Sequence, residues 1–269
     1  MKNVEIENLS KIFGVNHDEY KLDNRENLSE IISNPAYKDM TPRNLKGIGQ
    51  HSKKEKDEVL FNWLADEFIK YFESDAKNEN EFDEWHKKIC DETCTKIGDL
   101  CDVDVHYGKA QKLVNMSFKH FYLFSDAKDK KEYFTYCHMP LDSYTLNWFS
   151  KVYKDIKVSC AWSNLEFEEY KKIQDKIRAY FKSSENKKYI DEDGNSLTPL
   201  IAEFFIWIEE QHLEDPKKFL INPCIQFLQS IENMKTLTTY VGIENEDMLQ
   251  KLKDVESETQ SLIDILNRK

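Results

Sequence analysis

Two side chains between positions 107 and 149 could together carry chemistry: Lys112 and, thirty positions later, Asp142. A lysine amine is a nucleophile only when it is neutral, a form that burial and neighbouring positive charge favour. Lys109 and Lys119 are near enough in sequence to supply that charge. A carboxylate can stabilise positive charge on a reacting carbon, and Asp142, which follows Pro140 at a predicted helix start, is kept ionised by the amides of the first turn. Residues of these two types could serve as an amine nucleophile and as a carboxylate that stabilises positive charge.

The stretch around these residues resembles the catalytic core of the helix-hairpin-helix DNA glycosylases. It consists of YGKAQKLVNMSFKHFYLF, a charged loop and CHMPLDSYTLNWF. In those enzymes a glycine turn lies four residues before the nucleophilic lysine, and a Pro-Val-Asp-like element opens a later helix; Gly108, Lys112 and Pro140-Leu141-Asp142 stand at these places. The pair Gln111-Lys112 and the long loop before Asp142 resemble the archaeal 8-oxoguanine DNA glycosylase type. The chain departs from the pattern at Ala110, where the second hairpin glycine would stand, and lacks the cysteine cluster of the iron–sulfur members.

The resemblance implies an activity and a set of roles. It implies excision of a damaged or modified base, 8-oxoguanine-like, from DNA, with possible strand cleavage as an AP lyase. Lys112 would be the nucleophile and Schiff-base former, and Asp142 its electrostatic partner. An acid and a tryptophan four residues later bind the base in the archaeal type, and Glu203 and Trp207 match that spacing. The implied DNA contacts are Gly108, Lys109, Gln111 and Lys119, and the implied base pocket is Trp207, Glu203 and Pro140; no metal and no cofactor are implied.

Each of these residues also has a plainer interpretation. Lys112 could be a solvated lysine, Asp142 an ordinary helix N-cap, and Trp207 a core residue of an apolar helix. Gly47-Ile48-Gly49 could form a second, non-catalytic hairpin or merely a turn. His86, Cys90 and Cys94 share one helix face and could bind a metal, although cysteines on such a face are more often buried thiols.

Composition restricts the class of protein. The 269 residues include 40% hydrophobic residues but only seven Gly and six Pro, a balance that favours helices over a sheet with many tight turns. We expect no membrane span, because the chain has no long apolar run, and we expect a soluble cytoplasmic protein, because it begins without a signal-like segment. The net charge of −12 argues against wholesale phosphate binding, although lysines concentrate at 109–131 and 171–188. An acidic helical binding or regulatory protein that keeps the fold without catalysis is therefore the alternative function.

Apolar periodicity predicts an all-α chain of the helix-hairpin-helix glycosylase type, with two helical subdomains and a cleft between them. One subdomain would comprise about residues 1–100 with the C-terminal helices, and the other about residues 101–182. We expect the first fifty residues to be irregular, because prolines and glycines interrupt them. Helices are predicted to begin near Ser52 and Leu141 and to cover 79–100, 109–124, 165–181, 200–211 and the tail from Asp247. The tail stripe at near-heptad spacing packs on the protein's own core or on its twin in a homodimer; it consists of Met248, Leu252, Val255, Thr259, Leu262 and Leu266.

Overall fold

The computed structural model describes residues 19–42, 45–183, 186–191, 193–214, 216–240 and 246–268. This part of the chain is all-α, as predicted: it has no strand, and its one β-bridge pairs Ile190 with Ser196. None of its helices is long and apolar enough to span a bilayer. In chain order the α-helices are α1 (Arg25–Ile31), α2 (Tyr37–Asp39), α3 (Lys53–Lys56), α4 (Asn62–Glu73), α5 (Glu79–Cys101), α6 (Tyr107–Phe121), α7 (Ser143–Val152), α8 (Phe167–Lys182), α9 (Pro199–Glu214), α10 (Pro216–Tyr240) and α11 (Glu246–Arg268).

The prediction of an irregular N-terminal fifty residues is wrong for residues 25–39. Asn24 caps α1 by accepting a hydrogen bond from the Asn27 N–H. A π-helical segment, Ile32–Ala36, then joins α1 to α2 without a break and contains Pro35. Proline lacks an N–H, so a widened turn can accommodate it where a regular α-helix cannot. The stretch ends near Thr41, which has a φ of 56°.

Helix α6 is the centre of the core, and all fifteen of its residues are buried. Its C-terminal half packs against the aromatic side chains of α4. The Phe68 ring lies edge-on to Phe118 and Phe121, at centroid distances of 5.0 and 4.9 Å. Such edge-to-face pairs stabilise a core beyond their buried area. The opposite side of α6 carries polar residues, so its burial depends on partners from other segments.

The chain divides into two compact units, of which the first ends at Trp207 and the second begins at Ile208. The sequence analysis predicted a subdomain boundary near residue 100. In the structure, that position is the end of α5, which packs directly against α6. The predicted cleft between two helical subdomains stays a prediction.

In the second unit, α10 and α11 pack against each other, with Lys235 ion-paired to Glu256. The predicted tail stripe is only partly covered, since Val255 and Leu262 remain 39% and 47% exposed whereas Ile263 is buried. Leu266 lies outside the residues whose side chains are described. The homodimer stays a prediction.

We expect Leu262→Glu to dissociate a dimer of the full chain into monomers, because a charge in an apolar helix seam is costly. Light scattering measures the change. Ser261→Glu, on the exposed neighbouring position, serves as the control. A full chain that is already monomeric would exclude the twin-helix seam.

Candidate active site

The predicted nucleophile and its predicted partner form a buried ion pair. Lys112 Nζ donates to Asp142 Oδ2 at 2.7 Å, and the two residues are only 4% and 8% exposed. Lys112 lies on the second turn of α6, and Asp142 immediately precedes α7. The two residues therefore meet in space, as the sequence predicted.

Asp142 is also a helix N-cap, so its plainer interpretation holds alongside the pairing. Its Oδ1 accepts from the Thr145 N–H at 2.9 Å, and its own N–H donates to Thr145 Oγ1 at 2.8 Å. Each carboxylate oxygen of Asp142 therefore has its own partner: Oδ1 caps α7, and Oδ2 accepts from Lys112. The cap fixes the orientation of the carboxylate.

The pair lines a pocket of about 610 Å³. One wall comes from the helical stretch 31–39, another from α6 through Lys112, Met116 and His120, and a third from the start of α7. Two partly exposed tryptophans, Trp162 and Trp207, complete the lining. Ligand pockets of this volume and mixed character are common in enzymes.

A second buried ion pair lies beside the first. Lys119 Nζ is 2.5 Å from Glu203 Oε2, and both side chains are almost wholly buried. The same amine lies over the rings of Phe204 and Trp207, at 4.8 and 5.3 Å from their centroids. Glu203 Oε1 is buried without a hydrogen-bond partner, and burial raises the pKa of Glu203 even though Lys119 is adjacent. Glu203 itself is fully buried and does not line the pocket.

The expectation that Lys112 carries a neutral amine is wrong. Burial lowers the pKa of Lys112, but the charges of Asp142 and Glu203 outweigh it, and the pKa lies above its usual value. Asp142 responds in the opposite sense: burial raises its pKa, yet Lys112 outweighs burial and the pKa lies below normal. Lys109, whose amine contacts no carboxylate, has its pKa lowered to about 8 by burial. The resting pair is therefore an ammonium and a carboxylate.

This pair should stabilise the protein over a wide pH range. Its contribution is complete between the ordinary pKa values of 3.8 and 10.5. It is lost as pH rises through the folded-state pKa of Lys112, and as pH falls through that of Asp142. We expect the difference in unfolding free energy between the wild type and Lys112→Gln to be level from about pH 5 to about pH 9. Urea unfolding across pH measures it, and a difference that shrinks near neutrality would contradict the pairing.

The four implied DNA contacts do not form an exposed DNA-binding surface. Gly108 lies inside the first turn of α6 rather than in a hairpin turn, and its N–H donates to the Leu165 carbonyl at 2.8 Å. Lys109 is buried, with Nζ donating to the carbonyls of Met40 and Thr41. Gln111 is fully buried. Lys119 lines the pocket while paired with Glu203.

The reason for a glycine at position 108 is close packing, not phosphate binding. A Cβ there would lie 1.9 Å from the Trp162 carbonyl oxygen. We expect Gly108→Ala to displace Trp162 from the pocket wall and to destabilise the protein by about 1–3 kcal/mol or more. Thermal unfolding and Trp162 fluorescence measure the two effects. Gly49→Ala, where a Cβ meets nothing within 4 Å, should change neither; equal behaviour of the two variants would refute the packing argument.

The loop between α5 and α6, where a phosphate-binding hairpin would lie, is acidic. It holds Asp102 and Asp104, and Asp99 lies just before it. The rim of the pocket has mixed charge, with Glu30, Lys38 and Asp39 exposed. Neither surface is a basic groove of the kind that tracks a phosphate backbone.

The three residues considered for a metal take part in other interactions. His86 is buried and hydrogen-bonds through Nε2 to Asn115 Oδ1 at 2.8 Å and through Nδ1 to the Tyr107 hydroxyl at 3.1 Å. Cys90 is buried beside it and Cys94 is partly exposed. Within the described part of the chain, no three His, Cys, Asp or Glu side chains are grouped to hold a metal.

Several pocket residues were not anticipated from the sequence. His120 Nε2 lies 3.2 Å from Asp39 Oδ2, and burial lowers the pKa of His120, which leaves the ring neutral near pH 7. Tyr144 meets Trp207 edge-on at 6.0 Å. The signal for Tyr144 was its position two residues after Asp142, but nothing in the sequence places Asp39 beside His120. Pro140, implied for the base pocket, is buried before Asp142, and its carbonyl accepts from Thr145 Oγ1; it does not line the pocket.

Comparison with protein-family models, with curated proteins and with solved structures found no match to this chain.

Proposed function

We propose that the chain is a DNA glycosylase that excises a damaged or modified base by means of Lys112 and Asp142. The observation that carries the proposal is the 2.7 Å contact between Lys112 Nζ and Asp142 Oδ2 at the wall of a pocket large enough for a flipped nucleoside. Burial of a lysine–aspartate pair costs desolvation free energy. Its presence at the wall of a pocket therefore supports a functional role. The resemblance of residues 107–149 to the helix-hairpin-helix glycosylases, and to their archaeal 8-oxoguanine type, agrees with this chemistry.

The charged resting state of the pair defines a reaction in which protons balance. The C1′–N bond of the nucleotide breaks, and the base leaves with the electron pair. The departing base takes a proton from the Lys112 ammonium, which becomes the neutral amine that attacks C1′. Asp142 stays ionised and stabilises the oxocarbenium-like charge on the sugar while the bond breaks. Opening of the sugar then gives the Schiff base, from which strand cleavage can follow.

The other side of the pocket is suited to a base. Trp207 and Trp162 offer aromatic faces for stacking on a flipped base. Glu203, also implied for the base pocket, is fully buried and does not line this pocket. The 8-oxoguanine-like substrate rests on the resemblance of residues 107–149 to the archaeal 8-oxoguanine DNA glycosylase type.

Borohydride trapping on oligonucleotides that carry single lesions tests the proposal. We expect a covalent protein–DNA adduct with at least one lesion strand, 8-oxoguanine first, and none with the undamaged duplex. An abasic-site duplex serves as the positive control for Schiff-base formation. No adduct with any strand, the abasic one included, would refute the lysine mechanism.

An acidic helical binding protein is the second candidate. The observations that favour it are the acidic loop between α5 and α6 and the occupied N–H of Gly108. Titration of the same oligonucleotides at a series of salt concentrations distinguishes the candidates, because a DNA enzyme binds with a salt-dependent affinity. Absence of DNA binding at low salt would favour the binding protein.

A further inference from the structure

A buried side-chain amide joins the two halves of the ion pair. Gln111 Nε2 donates to the Leu141 carbonyl at 2.9 Å, and Gln111 Oε1 accepts from the Leu141 N–H at 3.2 Å. The amide therefore makes the two hydrogen bonds that a neighbouring strand would make with the same residue. Leu141 immediately precedes Asp142, and Gln111 immediately precedes Lys112.

These contacts close a ring of four residues. Backbone bonds join Gln111 to Lys112 and Leu141 to Asp142, the amide joins Gln111 to Leu141, and the ion pair joins Lys112 to Asp142. Because α6 is buried along its whole length, Gln111 and Lys112 form a rigid edge of this ring. We infer that Gln111 is a positioning residue, which holds the Asp142 carboxylate at the Lys112 amine through the backbone of Leu141.

The orientation of the Gln111 amide is itself determined. Asn115 Nδ2 donates to Gln111 Oε1 at 3.0 Å, which makes that atom the acceptor, and Gln111 Nε2 also donates to the Gly108 carbonyl. Asn115 Nδ2 donates as well to the Tyr170 hydroxyl at 2.9 Å. If the Gln111 amide were flipped, its oxygen would face the carbonyl oxygens of Leu141 and Gly108. The amide therefore has one stable orientation.

The hydrogen-bonded chain continues away from the pocket to the surface of α5. The Tyr170 hydroxyl bonds to His138 Nδ1 at 2.8 Å, and His138 Nε2 bonds to Asp83 at 2.9 Å. Arg178 holds Asp83 through two bonds of 2.8 Å. Burial lowers the pKa of His138 to about 4, so the ring is neutral near pH 7, with Nε2–H donating to Asp83 and Nδ1 accepting from Tyr170. The side chains that support Gln111, from Asn115 through Tyr170 and His138 to Asp83, are thus joined by hydrogen bonds.

A second amide holds the same segment two residues earlier. Gln174 of α8 donates to the Met139 carbonyl at 2.7 Å and accepts from the Met139 N–H at 3.2 Å. The segment 139–141, which leads to Asp142, is therefore held by hydrogen bonds from two helices, α6 and α8. Of these two helices, only α6 carries Lys112. Loss of the Gln174 hydrogen bonds should displace Asp142 less than loss of the Gln111 hydrogen bonds, because Gln174 holds Met139 and Gln111 holds Leu141, which is next to Asp142.

The test uses Gln111→Met, which keeps the approximate shape of the side chain and removes its two hydrogen bonds to Leu141, together with those to Gly108 and Asn115. Competitive acetylation with acetic anhydride, read by mass spectrometry, reports the reactivity of Lys112, with Lys109 on the same helix as the internal reference. In the wild type, Asp142 keeps Lys112 protonated and unreactive. We expect Gln111→Met to raise its reactivity severalfold, because a displaced Asp142 carboxylate stabilises the Lys112 ammonium less.

Asn186 provides a matched control. Its amide brackets the N–H and carbonyl of Tyr189 in the same way, at 3.0 and 2.9 Å, but Tyr189 does not line the pocket. Asn186→Leu should leave Lys112 reactivity unchanged. If Gln111→Met does not fold, Gln174→Met takes its place, with a smaller rise expected. Wild-type Lys112 reactivity in a folded Gln111→Met or Gln174→Met variant would overturn the inference.

Only the rate measurement rests on the proposed glycosylase function. In single-turnover excision we expect Gln111→Met to lose about 10²-fold in rate with DNA affinity retained, as for an ångström-scale misplacement of a catalytic group. Raised Lys112 reactivity without any excision by the wild type would support the positioning role and refute the glycosylase. Excision at the wild-type rate in folded Gln111→Met would refute the positioning role and leave the glycosylase standing.

Discussion

Lys112→Gln is expected to abolish the borohydride-trapped adduct with lesion and abasic DNA alike, because Lys112 supplies the pocket amine that donates to Asp142. Glutamine keeps a donor that can reach Asp142, so the variant should fold, although removal of one partner of a buried pair can cost about 3–5 kcal/mol. Gel analysis of trapped complexes measures the adduct, and circular dichroism shows whether the helices persist.

Lys109→Gln is the matched control, one helical turn away on the same buried helix. Its amine has a pKa of about 8 and donates only to backbone carbonyls, which makes it the more easily deprotonated of the two lysines. We expect trapping to survive its removal, since Lys109 does not line the pocket. If Lys109→Gln loses the adduct while Lys112→Gln keeps it, the roles of the two lysines are reversed.

Asp142→Asn should separate base excision from Schiff-base formation. Loss of the carboxylate charge removes the stabilisation of the sugar cation, and we expect excision to slow about 10²- to 10³-fold. The pKa of Lys112 should fall in the variant, because burial is then opposed by less negative charge. Attack on a ready-made abasic aldehyde needs only a neutral amine, so trapping with abasic DNA should persist or accelerate.

The substitution is structurally mild, since asparagine is as good an N-cap as aspartate, and the bond from the Thr145 N–H can remain. Asp66→Asn, which breaks the ion pair of Asp66 with Arg25 away from the pocket, controls for general destabilisation. Undiminished excision in Asp142→Asn would assign the residue to the cap alone, because asparagine keeps the cap and removes only the charge.

The sequence predicted the elements with local signals. The periodicity around Trp85 and Ile89 and the apolar run after Gly108 located α5 and α6 to within a few residues. The meeting of Lys112 with Asp142 was also predictable, because a family pattern places the two residues together. Both cases depend on information that lies within one short stretch of chain.

The remaining features depend on neighbours distant in sequence. The expected direction of the Lys112 pKa shift was wrong because the sequence analysis considered burial and the nearby lysines, whereas the charge of Asp142, with that of Glu203, raises the pKa in the folded chain. Gly108 suggested a turn because the backbone of Trp162 that covers it follows more than fifty residues later. The helical stretch around Pro35 escaped prediction because a π-helix accommodates a proline that normally marks a break.

The enclosure of α6 has a consequence for how the chain folds during synthesis. Lys109 donates to the Met40 carbonyl, 69 residues earlier in the chain. The partners of Lys112 and Asn115 lie 30 and 55 residues later, and the partner of Lys119 is Glu203. A buried ammonium without its carboxylate is strongly unfavourable, so α6 cannot be enclosed while these segments are still missing. Contacts of such long sequence separation slow folding. We therefore expect α6 to stay solvated until α9 has been synthesised. The unit that ends at Trp207 should then enclose α6 in one late, cooperative step.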